Sequence, residues 1–230
     1  MKAYKLLILM MVILAGCTDQ TVIEPLKIGV IATLTGLGSF QGQQAVNGLE
    51  LAKEEINAAG GINGKPLELI IEDSKTESAA AVTALNKLIE VDNVKFVIGD
   101  SWTSTTPPLV PVSNEKGVIL ISPIASLDSL ASDDFFFRTM PSAKSMMDAL
   151  ADYAYKQGLR RVGILHQQTA FGVEHASDFK SAFEKLGGQV VDVESVDVKA
   201  NDFRTELGKM NEKSRMRFCS FSPQRLLGSS

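Results

Sequence analysis

From Leu26 onward the apolar residues of this chain keep switching between two rhythms. "KIGVIATL" (27–34), "LELIIED" (67–73), "KFVIG" (95–99) and "GVILIS" (117–122) are short continuous runs that read as strands. Between them Val46, Leu49, Ala52, Ile56 and Ala59 share one helical face, as do Val82, Leu85, Leu88 and Ile89. That order is β-α-β-α-β-α-β. Unbroken apolar strands separated by helices fit a parallel sheet covered on both faces, because a parallel connection has to cross over the sheet. Ligands of such folds bind at the carboxyl ends of the strands. Here those ends are the loops "TGLGSFQG", "EDSKTESA", "DSWTSTTPP" and "PIASLDS".

The rhythm then restarts. "FFFRTMPS" (135–142) reads as a crossing strand. Beyond it come a helix carrying Met146, Met147 and Leu150, the strand "RRVGILHQ", and a helix carrying Val173, Ala176, Phe179, Phe183 and Leu186, closed by Gly187 and Gly188. "QVVDVESV" follows as a strand and "NDFRTELGKM" as a capped helix. The expected organisation is an α/β chain of two similar lobes, 26–137 and a partial 143–212, joined by a crossover at 138–142. A strand is due after Met210, but "SRMRFCSFSPQRLLGSS" offers no apolar run of strand length. Residues 213–230 are therefore expected to be an aberrant or disordered tail, and the second lobe to be truncated.

The first residues belong to neither lobe. Lys2 and Lys5 precede "LLILMMVIL", too short to cross a bilayer as a stable helix, so 1–16 reads as a secretion signal. Its end, "LAGC", resembles the lipobox of bacterial lipoproteins, which implies a lipid on Cys17 and a tether over 17–25 at a membrane surface. The alternative is a plain signal peptide with an incidental cysteine. Cys219 is the other cysteine, so an acylated Cys17 leaves no pair for an internal disulfide. All 27 acidic residues lie between 18 and 212, whereas Lys2, Lys5, Lys213, Arg215, Arg217 and Arg225 lie outside that span. The acid excess argues against nucleic acid or anionic lipid as a partner.

"VIGDSWTSTTPP" (97–108) places hydroxyls and the chain's one tryptophan at a strand end. Pro107 and Pro108 suit the first turn of a helix, so Ser101, Thr103 and their neighbours stand beside free backbone donors and a positive dipole end, a seat for a carboxylate. Helix capping with solvated hydroxyls is the plainer alternative. "SPIAS" (122–126) follows the neighbouring strand and brings Ile124, Ala125 and Ser126 near Thr103.

Over roughly 26–210 the chain resembles the type I periplasmic binding proteins, in the branch serving branched-chain amino-acid ABC transporters. The likeness is carried by "IGVIATLTGLGSFQGQQAVNGLELAKEEINAAGGINGKPLELIIEDSK", "FVIGDSWTSTTPPLVPVSNEKGVILISPIAS", "FFFRTMPS" and "RVGILHQQTAFG". It implies that Thr103 offers its N–H and hydroxyl to a ligand carboxylate, with Ser126 and the Ile124 carbonyl facing its ammonium and Ser101 and Ala125 beside them. Phe171 matches the position of an aromatic that closes over the ligand. Gln41 stands where some relatives carry an aromatic, and Trp102 can supply the apolar wall instead. The acid that relatives pair with the ammonium comes from a region this chain does not reach, and Asp100 is a possible substitute.

Other functions are weaker. The glycines at 36, 38 and 42 miss the G-x-G-x-x-G spacing of a dinucleotide loop, and Gly36 and Gly42 are expected to let the loop pass close to a ligand. His166 and His175 have no third metal ligand at matching spacing and read as surface or loop residues, and no G-x-S-x-G elbow occurs. The expectation is a lipid-anchored, extracytoplasmic solute-binding protein that hands an amino acid or similar small molecule to an ABC permease. It uses no cofactor or metal and performs no catalysis. A ligand-binding sensor component, or an α/β enzyme using a nucleotide, are the alternatives.

Overall fold

The computed structural model of this protein describes residues 23–130, 135–213 and 217–221. The expected signal peptide and Cys17 lie outside the described residues, as do 222–230 of the tail. The first sheet is parallel throughout, in the order β2 (Leu67–Asp73), β1 (Leu26–Ala32), β3 (Phe96–Ile98), β4 (Ile119–Ser122) and β5 (Phe136–Arg138). Successive residues of β1 face opposite layers. Val30 and Ala32 pack with Val46 of α1 (Ser39–Ala58), while Ile31 packs with Leu85 and Leu88 of α2 (Ser78–Glu90) and Leu109 of α3 (Leu109–Lys116).

Between α1 and β2 the "GGINGK" segment folds into a two-residue turn. Ile62 and Lys65 exchange both backbone hydrogen bonds, at 2.8 and 3.0 Å, around Asn63 and Gly64, whose φ angles are +52° and +78°. Positive φ at both central residues is what a type I′ turn demands, and Asn-Gly supplies it at little cost. Asn57, in the last turn of α1, then brackets Leu67 from both sides, so β2 starts in register beside β1.

The chain leaves the first sheet after β5. Ser142 accepts from the Ser145 amide to cap α4 (Ala143–Lys156), and α4 packs with α5 (Ala170–Lys185) on a second parallel sheet. That sheet has the order β7 (Gln189–Val196), β6 (Arg161–Gln167), β8 (Arg217–Phe221). Its core sets Met147 and Ala151 of α4 against Val162 and Ile164 of β6 and Phe179 and Phe183 of α5. The helix α6 (Arg204–Lys213) lies against β7.

The tail expectation is corrected at one place. Residues 217–221 form β8 and pair with Val162–His166 in parallel, on the side of β6 opposite β7. An uncovered edge of β6 offers unpaired N–H and C=O groups, and "RFCSF" carries enough β propensity to occupy them without a long continuous apolar run. Among the described residues, no helix is long and apolar enough to cross a membrane.

Candidate functional site

In the strand order β2-β1-β3 the chain steps to one side of β1 and then to the other, so the loops leaving β1 and β3 diverge and open a crevice between them. The loop after β1 is held from the side by Asp73, which accepts from the Leu34 amide at 2.9 Å, the Thr35 amide at 3.2 Å and hydroxyl at 2.7 Å, and the Lys75 amide at 2.8 Å. Burial alone pushes this carboxyl upward, but those donors together hold it below the ordinary aspartate value.

The loop after β3 settles the question its hydroxyls raise. Gly99 passes so close to β1 that a side-chain carbon there would meet the Ile31 carbonyl oxygen at 2.4 Å. The Ser101 hydroxyl turns inward, accepting from the Thr33 amide at 3.0 Å and bonding its hydroxyl at 2.9 Å. Thr105 donates to the buried Asp100 carboxylate at 2.5 Å, and Thr106 donates to the Trp102 carbonyl. Burial raises the Asp100 carboxyl above its ordinary value, against the pull of the Thr105 and Ser101 hydrogen bonds. These groups hold the loop together. Thr103 and Ser104 remain for the crevice, in a single 3-10 turn over Thr103–Thr105. Among the described residues no acceptor meets either of their N–H groups.

Pro107 and Pro108 precede the helix instead of opening it, since α3 begins at Leu109. The free donors are therefore those of the 3-10 turn, one turn upstream of the expected place. After β4, the Ser122 hydroxyl accepts from the Ile124 and Ala125 amides at 3.4 and 3.0 Å, folding the "SPIAS" turn back on itself. Thr103 Oγ1 donates to the Ile124 carbonyl at 3.2 Å, which ties the two strand ends together and leaves that oxygen one further lone pair.

The second lobe supplies the opposite wall. Thr169 caps α5 by accepting from the Gly172 amide, and Gln167, Thr169 and Phe171 face Thr103 across a cleft. Gly172 makes this approach possible, because a side-chain carbon there would lie 2.1 Å from the Gln167 carbonyl oxygen. The cleft has a volume of about 160 Å³ and is lined by Gln41, Trp102, Thr103, Ser104, Ile124, Met140, Gln167, Thr169 and Phe171. None of these is charged. Their apolar members surround a few convergent polar groups, the usual composition of a small-molecule site. Gln41 Oε1 is buried with no partner among the described residues, an acceptor available to a bound donor.

Of the residues singled out from sequence, the structure thus gathers Gln41, Trp102, Thr103, Ile124 and Phe171 around one cavity. Ser101 and Ala125 stand behind it with their polar groups used internally. Ser126 is fully buried, and its hydroxyl faces His175. Asp100 is corrected from ammonium partner to loop anchor, because it is buried toward Thr105. Gly36 and Gly42 also change role: their close neighbours are the Lys75 and Thr33 carbonyls, not the cleft. His175 is corrected most. It is 2% exposed and sits at the seam between the lobes. Ser104, one of the hydroxyls in the run beside Thr103, also lines the cleft, whereas sequence reasoning missed Met140, Gln167 and Thr169, although the Thr-x-x-Gly cap spacing at 169–172 marks the helix start that carries two of the lining residues. Near the same seam the carboxylate oxygens of Asp128, Glu174 and Asp178 lie within 4.8 Å of one another.

Known proteins resemble this chain over most of its length. Residues 25–214 match the family described as periplasmic binding protein. The Leu/Ile/Val-binding protein homolog 3 of Brucella melitensis is 34% identical over 188 residues, which is 80% of this chain and 51% of that protein. The branched-chain amino acid transporter substrate binding protein of Streptococcus pneumoniae, solved in complex with isoleucine, superposes with a TM-score of 0.76 at 28% identity over 83% of this chain and 55% of that one. An ABC transporter substrate-binding protein from Sphaerobacter thermophilus gives a TM-score of 0.74 at 31% identity over 83% of this chain and 52% of that one. The chain spans about half the length of the curated relatives it matches.

Proposed function

This chain belongs to the type I periplasmic binding protein family, and from that premise we propose that it binds a small amphiphilic carboxylate, a branched-chain amino acid foremost, outside the cytoplasm for an ABC importer. The observation that carries this is the pair of N–H groups at Thr103 and Ser104, unclaimed among the described residues and belonging to two residues that line an uncharged, mainly apolar cleft. A ligand carboxylate there accepts from those amides, while the N-terminus of α5 presents its positive end from the other side. Trp102, Met140 and Phe171 cover the apolar body. The Ile124 carbonyl and Gln41 Oε1 are the acceptors for an ammonium. The isoleucine bound to the Streptococcus pneumoniae protein supports this ligand class.

Binding stabilises the shut cleft, since contacts from Thr103 and Phe171 to one solute are made across it. Calorimetry with leucine, isoleucine and valine tests it. Saturable heat with at least one of the three is expected, and no heat from any of them over the millimolar range contradicts the ligand class. We further propose export and lipid anchoring through Cys17, on the strength of "LAGC" after a basic, apolar leader. Radiolabelled palmitate should be incorporated by the wild type in bacterial cells and not by Cys17→Ala, and equal labelling of both rules the anchor out.

A further inference from the structure

His175 has a defined chemical state and touches both lobes. Its Nδ1 lies 2.8 Å from the Phe171 carbonyl oxygen, which can only accept, so the ring proton sits on Nδ1 and the lone pair on Nε2. Nε2 faces the Ser126 hydroxyl at 3.5 Å, the long end of hydrogen-bond range, and Ser126 belongs to the loop after β4 in the first lobe. The imidazole also lies against the Phe171 ring, with centroids 3.9 Å apart and planes inclined by 31°. Phe171 is a wall of the cleft. A second bridge runs alongside, from the Asp128 amide to Glu174 Oε1 at 2.6 Å.

Resting on the reading of the cleft as the ligand site, we propose that His175 is a positioning residue that closes it: neutral, it fixes Phe171 and fastens α5 to the Ser126 loop; protonated, it lets the lobes part. The physical basis is the burial of an uncharged ring. Desolvation disfavours the imidazolium and outweighs both the Phe171 carbonyl bond and the attraction of Glu174 and Asp178 on α5 and of Asp128 across the seam. Asp128 is itself engaged by the Lys144 amide at 2.9 Å and lies 3.6 Å from Arg138 Nη2, which further weakens its pull. Arg138 also donates to the Ser126 and Leu127 carbonyls, holding the loop that Nε2 meets.

The direction of the pH effect follows. In an open cleft a solvated imidazole titrates near ~6.5, and in the closed cleft it titrates lower. Above that range both forms are neutral and closure is unopposed. As pH falls below about 6.5 the open form gains a proton that the closed form resists, so closure weakens until the closed form is protonated as well. Protonation also puts a second donor on Nε2, so Ser126 must reverse its hydroxyl to meet it.

Trp102 makes this measurable without a ligand, because the chain's one tryptophan lines the same cavity as Phe171. Its emission is followed in the full chain from about pH 8 to about pH 5, across the ordinary histidine range. The wild type should shift to the red on acidification, with a midpoint below the ordinary histidine value. His175→Leu, checked for folding by circular dichroism, should keep its alkaline spectrum throughout. Ser126→Ala should move the midpoint to higher pH, since the neutral ring loses its donor. Imidazole 15N spectra should show the Nδ1–H tautomer for His175, with His166→Asn identifying the second histidine. An unchanged transition in His175→Leu, or a His175 that titrates while Trp102 stays indifferent, overturns the proposal. If His175→Leu does not fold, Ser126→Ala and the 15N titration decide. No solute is added, so failure here and failure of amino-acid binding are separate results.

Discussion

At the scale of single residues, the hydroxyl loop divides its labour by direction. Ser101 points back to Thr33, whereas Thr103 and Ser104 meet the cleft, though all belong to one run of similar side chains. Two substitutions should therefore separate stability from affinity. Ser101→Ala strands the buried Thr33 N–H and should cost about 1–3 kcal/mol in urea unfolding. Thr103→Ala should weaken binding of a responding amino acid by about 1–3 kcal/mol. Equal effects of both on affinity, with no loss of stability in the first, would contradict the division. This distinction was not legible in the sequence, because composition marks a polar loop without saying which hydroxyls face inward. The burial of His175 was hidden for a related reason: its seat is made by Ser126, 49 positions away in the chain.

At the scale of elements the sequence was far more readable. "LELIIED" and "QVVDVESV" are β2 and β7 to the residue, because Leu, Ile and Val concentrate in both runs and the turn residues Lys65-Pro66 and Gly187-Gly188 bound them. Helix boundaries were less so. The segment containing Val46 starts at Ser39, seven residues before the apolar face that begins at Val46, and its N-terminal turn is set by contact with Thr33, just past the end of β1. Gly42 permits that contact, since a side-chain carbon there would lie 2.1 Å from the Thr33 carbonyl oxygen, whereas Gly48 in the same helix has open space around it. Gly42→Ala should destabilise the protein by about 1–3 kcal/mol through overpacking. Gly48→Ala should stabilise it by up to about 1 kcal/mol through lower chain entropy. Thermal melts of the two variants read both, and a shift of the same sign in each would show that helix-to-strand distance does not control this position. Gly172 repeats the device in α5, so each lobe brings one helix start to its sheet by the same means. β8 was missed because pairing with β6 supplies what its short, mixed sequence lacks.

For the whole molecule, two sheets meet so that the start of α1 and the loops after β3 and β4 on one side face the N-terminus of α5 on the other. The alternation of strands and helices makes this two-lobed plan visible in the sequence, and the switch in strand order explains why the cleft opens beside β1 and β3. What alternation does not encode is the seam, where His175, Ser126, Asp128 and Glu174 decide how firmly the halves hold together. The most direct test of the central claim is an amide 1H–15N titration of the full chain with L-isoleucine up to about 10 mM, where even a millimolar complex is largely saturated. The account predicts saturable shifts centred on the Thr103 and Ser104 amides, with accompanying shifts at the Trp102 indole and Phe171. Saturable shifts confined to other surfaces, leaving those two amides unmoved, would contradict it.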